Sequence, residues 1–196
     1  VSTVLGTLAA IGIHGMKKGW AGWILNVSYL PMTMPDIVTG VSIMMLFVVL
    51  KMERGYWTMV MAHIAFDTPY VLFSVLPKLK QMDPNMYEAA LDLGCKPFKA
   101  LTKVIVPQVT PGIVTGGLLA FTMSIDDFII SYFTGGSAVN NLSIAVYGSA
   151  RRGVSPSMYA LSAVMFVVIL VLMVVMNLLQ ARSEKRVQHG MQRRAH

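Results

Sequence analysis

The sequence predicts an all-α membrane protein whose helices cross a bilayer several times. Hydrophobic residues make up 55% of its 196 residues, and charged residues make up only 13%, about half the charged share of an ordinary soluble domain. The apolar residues form long stretches, and most basic residues lie between or after these stretches. This pattern argues against a soluble globular fold and favours a polytopic membrane protein.

Five apolar stretches follow one another along the chain, and crossing the roughly 30 Å core of a bilayer takes about 20 helical residues. The first stretch is too short to cross and has neither an initiating Met nor a basic flank before it. We therefore expect it to end a helix whose beginning is missing from this sequence. The last stretch carries no charge. The five stretches are residues 1–13, 23–50, 57–76, 109–133 and 158–179.

The basic residues predict which side of the membrane each connection faces. If successive stretches cross in alternate directions, one side receives all the Lys and Arg residues except four, which are Lys51, Arg54, Arg151 and Arg152. By the positive-inside rule the richer side is cytoplasmic. This places the loop at residues 77–108 and the basic tail at residues 181–196 in the cytoplasm, where the tail can contact membrane lipid headgroups.

The net charge of +7 is also typical of proteins that bind nucleic acid. However, the basic residues are not interleaved with aromatic residues as they are in single-strand binders, so we expect no nucleic-acid partner. The single cysteine, Cys95, excludes a disulfide within the chain.

The segment at residues 83–107 is polar and is punctuated by Gly and Pro between two apolar stretches. Asp83 followed by Pro84 is a favourable helix start, and Gly94 is a favourable helix end. Pro97 then starts a second helix, on which lysines recur every three or four residues and share a face. The sequence therefore predicts a short helix, a turn and a second, basic helix.

The spacing within this segment resembles the EAA loop of binding-protein-dependent ABC importer permeases. Glu88-Ala89-Ala90 is followed at the family's distances by Gly94 and Pro107. The family commonly has Ile and Leu at the two positions where this chain has Val104 and Val106, and both changes are conservative. The resemblance implies an all-α, polytopic permease with the MetI-like fold of type I importers.

The resemblance also implies partners for this chain. Its permease domain, residues 1–180 without the missing amino-terminal part, would lie in the bacterial inner membrane beside a second permease subunit. A coupling helix in loop 77–108 would dock on a dimer of ATPase subunits, and an extracytoplasmic binding protein would deliver the cargo. Glu88 and Gly94 would be the positions most sensitive to substitution.

No Gly-x-x-x-x-Gly-Lys-Ser/Thr phosphate cradle occurs in the sequence. We therefore expect ATP and Mg to bind to the partner ATPase, and this chain to be a transporter subunit without a cofactor, a metal or an enzymatic activity of its own.

Four acidic residues lie within apolar stretches, where a carboxylate costs a few kcal/mol and indicates a function by default. Asp36 follows two prolines, so it either faces a translocation path or caps a helix that restarts after a proline break. Asp67 precedes Thr68-Pro69 and is near His63, so we expect it to make local structural hydrogen bonds. The other two are Asp126 and Asp127.

Asp126 and Asp127 are separated by about 100° around a helix, so at most one of them points straight into a pore. At 1.5 Å per residue, Asp36 and Asp126 lie about 20 Å and 25 Å along their stretches. The sequence therefore predicts one acidic level in a translocation path, to which nearby rings could add cation–π contacts. The rings are Phe121, Phe128, Tyr132 and Phe133.

The sequences around these acids, residues 34–38 and 124–128, resemble the corresponding segments of spermidine/putrescine transporter permeases. The resemblance implies path carboxylates at Asp36 and Asp126, a further candidate at Asp127, and a polyamine as the small-molecule cargo. An ABC importer for another small solute, such as thiamine or iron, remains an alternative. A secondary transporter would have no use for the coupling loop, and an intramembrane aspartyl protease would need a Gly-x-Gly-Asp-like turn that this chain lacks.

Overall fold

The structure is a computed structural model that describes residues 1–137, 139–152 and 156–192. Within these residues the chain forms helices joined by short connections, without a strand, which confirms the predicted all-α class. A five-residue π-helical segment, Leu101–Ile105, joins the helix Pro97–Ala100 to the helix Val106–Asp126. The helices are α1 (Ser2–His14), α2 (Lys18–Thr33), α3 (Asp36–Val49), α4 (Tyr56–Gln81), α5 (Asn85–Asp92), α6 (Pro97–Ala100), α7 (Val106–Asp126), α8 (Ile129–Gly135), α9 (Leu142–Arg152) and α10 (Pro156–Gln192).

Three helical segments of the described chain are long and apolar enough to cross a membrane, namely Tyr56–Gln81, Pro97–Asp126 and Pro156–Val175. The pair α2 and α3 passes the same test together but bends by 111°, which makes it a broken span or a re-entrant loop. The predicted single stretch at residues 23–50 is therefore two helices.

The break between α2 and α3 has a local cause. Pro35 has no backbone N–H to continue α2, and it holds the preceding residue extended; Met34 accordingly has ψ 146°. The helix restarts at Asp36, as in one of the two alternatives left open for this residue, but the Asp36 carboxylate makes no capping hydrogen bond. Its carboxylate therefore remains available for another role.

The core of residues 1–145 is built around α4, which packs against α1 on one side and α7 on another. Glycines allow these helices to approach closely. A Cβ at Gly116 would lie 2.8 Å from Val71 Cα, and one at Gly112 would lie 2.8 Å from the Ser74 carbonyl oxygen. Small residues at such positions are typical of helix pairs in membranes, where van der Waals packing replaces the hydrophobic effect as the force between helices.

A second cluster of buried side chains fixes α8 against α3 and α4. The buried Thr58 hydroxyl donates to the Thr134 carbonyl oxygen at 2.8 Å, which ties the start of α4 to the end of α8. The apolar members of this cluster are Phe47, Ala62, Phe66 and Ile130.

The π-helical segment lies directly before Pro107. A proline ring in a regular α-helix clashes with the carbonyl four residues earlier and removes one hydrogen bond. In this segment the Val106 N–H instead donates to the Leu101 carbonyl oxygen, five residues back. The wider turn lets the chain pass through Pro107 without a break, so that Pro97–Asp126 counts as one span. The predicted helix start at Pro97 is confirmed, whereas the π turn was not predicted.

Residues 146–196 form a second unit. Its main element is α10, which continues without interruption past residue 180. Helix boundaries therefore do not mark the predicted border between the permease domain and the basic tail, and that border stays a prediction. Arg193 and Arg194 of the tail lie outside the described residues.

We expect Gly116→Ala to destabilise the protein by about 1–3 kcal/mol, because the added Cβ must push α4 and α7 apart. Gly12→Ala is the matched control: no atom lies within 4 Å of its Cβ position, and alanine favours a helix over glycine. Thermal unfolding of both variants in detergent checks this prediction. Equal midpoints for the two variants would contradict it.

Candidate coupling loop and translocation path

The loop between α4 and α7 has the predicted helix–turn–helix form. The Asp83 carboxylate accepts the Asn85 N–H at 2.9 Å at the start of α5. At the other end, Gly94 has φ +80°, a left-handed conformation that glycine adopts without strain. The Cys95 N–H reaches back to the Ala90 carbonyl oxygen at 3.1 Å, which closes the end of the helix.

The loop is docked on the helix bundle rather than extended from it. Ala90 is buried, Tyr87 packs against the main core, and the Gln108 amide donates to the Met86 sulfur at 2.7 Å. Glu88 and Ala89 are exposed on the other side of α5. The EAA segment therefore has one face held by the bundle and one face open.

Two large apolar side chains flank the Gly94 turn and are almost fully exposed, Leu93 at 88% and Phe98 at 76%. Neither residue is among the candidate residues predicted from the sequence. The sequence does contain a signal for a contact surface here, because large apolar residues are rare in a polar loop. Pro107, the last residue of the motif, is exposed and lies two residues beyond the end of the π segment.

Asp36 and Asp126 lie at the ends of two different helices. Asp36 is the first residue of α3 and Asp126 is the last residue of α7, both side chains are exposed, and the two carboxylates are close enough to interact electrostatically. Their approach depends on α8 packing on α3, where a Cβ at Gly40 would lie 3.2 Å from Ile129 Cγ2. The chain bends by 111° directly before Asp36, after the stretch along which its depth of about 20 Å was estimated, and that depth stays a prediction.

Asp127 lies beside Asp126 in sequence but is engaged differently. Its carboxylate accepts the backbone N–H groups of Ile130 at 3.2 Å and Ser131 at 2.9 Å, and so caps α8. It also accepts the Ser131 hydroxyl at 3.2 Å and lies 3.5 Å from His63 Nε2. These contacts give Asp127 a structural role, and its part in a translocation path stays a prediction.

His63 connects this cap to α4. Its Nδ1 lies 2.9 Å from the Met59 carbonyl oxygen, which can only accept, so Nδ1 carries a proton. Its Nε2 faces Asp127 and also lies 3.4 Å from the Ser131 hydroxyl. The Asn141 amide donates to the same hydroxyl at 2.7 Å. The pairing of His63 with Asp127, 64 positions away, leaves no local pattern in the sequence.

The expected local hydrogen bonding of Asp67 is wrong. Its Oδ1 is buried and has no hydrogen-bond partner among the described residues, and His63, one turn away, is paired with Asp127 instead.

Aromatic residues follow Asp126 and Asp127 in the sequence, at the start of α8 and within it. Phe128 and Tyr132 have ring centroids 5.3 Å apart, and Tyr132 and Phe133 are in edge contact at 5.6 Å. Tyr132 and Phe121 remain about half exposed. No group of three or more His, Cys, Asp or Glu residues within the described chain could hold a metal ion.

Apolar spanning helices, exposed carboxylates at helix ends, and a docked loop with two exposed apolar side chains are features of a subunit of a multi-pass membrane transporter. The chain belongs to the family of binding-protein-dependent transport system inner membrane components, which it matches over residues 2–189.

Relatives within this family include permeases of known systems. The chain is 34% identical to the spermidine/putrescine transport system permease protein PotC of Escherichia coli K12, over 96% of this chain and 71% of that protein. It is equally identical to the putrescine transport system permease protein PotI of the same strain, over 98% of this chain and 71% of that protein. PotC of Haemophilus influenzae is 33% identical over 93% of this chain and 71% of that protein.

A solved structure shares the fold. The chain superposes on a chain of the MetNI methionine ABC transporter in an inward-facing conformation with a TM-score of 0.62, covering 95% of this chain and 89% of that chain at 17% identity. The predicted MetI-like fold of a type I importer permease is thereby confirmed.

We expect Asp127→Ala to lower stability by about 1–2 kcal/mol, because α8 loses its cap, and Asp127→Asn to retain most of it, because the amide oxygen can still accept a backbone N–H. Thermal unfolding of the two variants in detergent tests the capping role. If both variants lose stability to the same extent, the cap is not the main role of Asp127.

Proposed function

We propose that this chain is the permease subunit of an ATP-driven importer of polyamines such as spermidine and putrescine. The observation that carries this proposal is the 34% identity, over nearly the whole chain, to permeases of spermidine/putrescine and putrescine transport systems. The exposed carboxylates of Asp36 and Asp126 provide independent chemical support, because they suit a cationic cargo.

The charge of the site favours cations over the anions that other importers carry. Neither Asp36 nor Asp126 is in an ion pair with Lys or Arg among the described residues. A carboxylate in a membrane segment needs a partner, and an ammonium group supplies both charge and hydrogen-bond donors. The rings of Phe128 and Tyr132 can add cation–π contacts.

In the proposed mechanism, α7 connects the ATPase to the cargo. The helix begins next to the docked loop and ends at Asp126, and its 21 residues span about 30 Å. Closure of a separate ATPase dimer on ATP and Mg would move the loop, through Glu88 and the exposed Leu93 and Phe98. The α7 helix would carry that movement to the acidic pair.

The remaining partners follow from the same proposal. A second permease subunit completes the path, and an extracytoplasmic binding protein delivers the cargo from outside. The loop between α4 and α7 and the carboxyl terminus face the cytoplasm, as the distribution of basic residues predicts.

We expect uptake of spermidine or putrescine into proteoliposomes to require ATP, the ATPase subunits and the binding protein. Asp36→Asn and Asp126→Asn should each reduce uptake at least about tenfold, because a charged hydrogen bond to the cargo is lost. Glu53→Gln, at an exposed carboxylate between α3 and α4, is the matched control and should transport normally. Uptake driven by a proton or sodium gradient without ATP would refute the proposal that the transporter is an ATP-driven importer.

We expect Gly94→Leu to abolish transport while the protein still reaches the membrane. No atom lies within 4 Å of the Cβ position, so a leucine side chain would not clash there. The left-handed backbone conformation would instead cost about 1–2 kcal/mol with leucine. We expect the loop to relieve this strain by changing its shape at the docking face. Gly94→Asn is the control, since Asn tolerates this conformation and should keep most activity. Normal ATP-dependent uptake by Gly94→Leu would exclude the proposed role of the turn.

A further inference from the structure

The segment at residues 141–144, where α9 begins, bonds to the carboxyl end of α7. Ser143 is the second residue of α9, and its hydroxyl donates to the Ile125 carbonyl oxygen at 2.6 Å. Ile125 directly precedes Asp126, the last residue of α7. A side chain 18 positions further along the chain thus fixes the backbone immediately before Asp126.

The end of α7 leaves the Ile125 carbonyl without a partner in its own helix. The last four carbonyl groups of an α-helix have no N–H group ahead of them in the helix. The α7 helix ends at Asp126, and the next residue, Asp127, has an extended ψ of 114°. An unpaired carbonyl in a membrane segment is costly. Ser143 supplies a donor, so the position of Ile125 depends on a side chain from another helix.

Asn141 acts on the residue at the other side of Asp126. Its amide N–H donates to the Ser131 hydroxyl at 2.7 Å, and that hydroxyl donates to the Asp127 carboxylate at 3.2 Å. The amide oxygen of Asn141 accepts the Ile144 backbone N–H at 3.0 Å, which caps α9 and fixes the direction of the amide. The segment therefore holds the chain on both sides of Asp126.

The Asp126 side chain depends on its backbone for its direction. It is exposed, and it forms no ion pair with a described residue. A rotation of the backbone at either neighbour would therefore redirect the carboxylate, since no counter-ion in the described part of the chain opposes that movement. Stability alone does not require two hydrogen bonds from one segment to converge on the neighbours of one exposed carboxylate.

We propose that Ser143 and Asn141 are positioning residues, which hold the Asp126 carboxylate where it meets a cationic cargo. Ser143 acts on the backbone before Asp126, and Asn141 acts through Ser131 on the residue after it. The inference rests on the function proposed above in one respect, namely that Asp126 contacts the cargo. Both residues act through Asp126 rather than on the cargo.

Chemical labelling measures the position of Asp126 without transport. The full-length chain, assembled with its partner subunits in detergent, is treated with a carbodiimide and glycine ethyl ester, and mass spectrometry follows the labelling of Asp126, with Asp36 as the internal reference. Ser143→Ala and Asn141→Ala should each change the labelling rate of Asp126 by about threefold or more and leave that of Asp36 unchanged. Unchanged labelling of Asp126 in either variant, or an equal change at Asp36, would overturn the proposal.

Three further variants separate positioning from a loss of fold. Ser143→Thr keeps the hydroxyl and should label Asp126 at the wild-type rate. Ser74→Ala should do the same, because the Ser74 hydroxyl donates within α4, to the Tyr70 carbonyl oxygen at 2.8 Å; an effect as large as that of Ser143→Ala would overturn the proposal. Ser143→Cys has a weaker donor and should give an intermediate rate. If Ser143→Ala does not fold, wild-type labelling of Ser143→Cys overturns the proposal.

Uptake of putrescine into proteoliposomes, with ATP, the ATPase subunits and the binding protein, tests the consequence for the cargo. Ser143→Ala should lower the rate about three- to tenfold, as expected for the loss of one hydrogen bond. In an Asp126→Asn background the same substitution should cause no further loss, because no charge is left to position. Losses that multiply in the double variant would show a general stabilising role and overturn the proposal.

The two proposals can fail separately. A complex that imports no polyamine but shows the labelling change at Asp126 would refute the proposed function and keep the positioning of Asp126. A complex that imports polyamine but shows no labelling change would refute the positioning role alone.

Discussion

The close contact between α4 and α7 is the constraint on which the other features depend. Gly112 and Gly116 bring the backbone of α7 against Val71 and Ser74 of α4, and lipid offers no hydrophobic force to replace that packing. The α7 helix carries the docked loop at one end and Asp126 at the other. Both ends of the candidate machinery therefore lie on one helix that is packed closely against α4.

Much of this architecture could be predicted from local sequence signals. Asp83, Gly94 and Pro97 mark helix ends through their own backbone chemistry, and the structure places helix ends next to them. The family resemblance of the loop depended on the same residues. What local signals could not supply was contact between distant segments: the pairing of His63 with Asp127 arises from packing of α8 on α4.

The acidic residues illustrate why residue type alone does not assign a role. Asp126 and Asp127 are adjacent, yet the first is exposed at a helix end and the second is occupied with the cap of α8 and with His63. Asp67 resembles neither, because it is buried without a partner for Oδ1 among the described residues. These three carboxylates thus have three different environments, and a hydropathy scale gives the same value to all of them.

The π turn before Pro107 has a consequence for motion. An α-helix advances about 1.5 Å and turns about 100° per residue, and a π turn holds one residue more than an α turn. Conversion of this π turn to an α turn would remove one residue from the turn and would therefore rotate α6 about the axis of α7 by about 100°. Pro107 opposes that tightening, because it has no N–H to offer the carbonyl four residues earlier. The junction can therefore pass a movement along the axis of α7, while Pro107 resists a rotation of α6 about that axis.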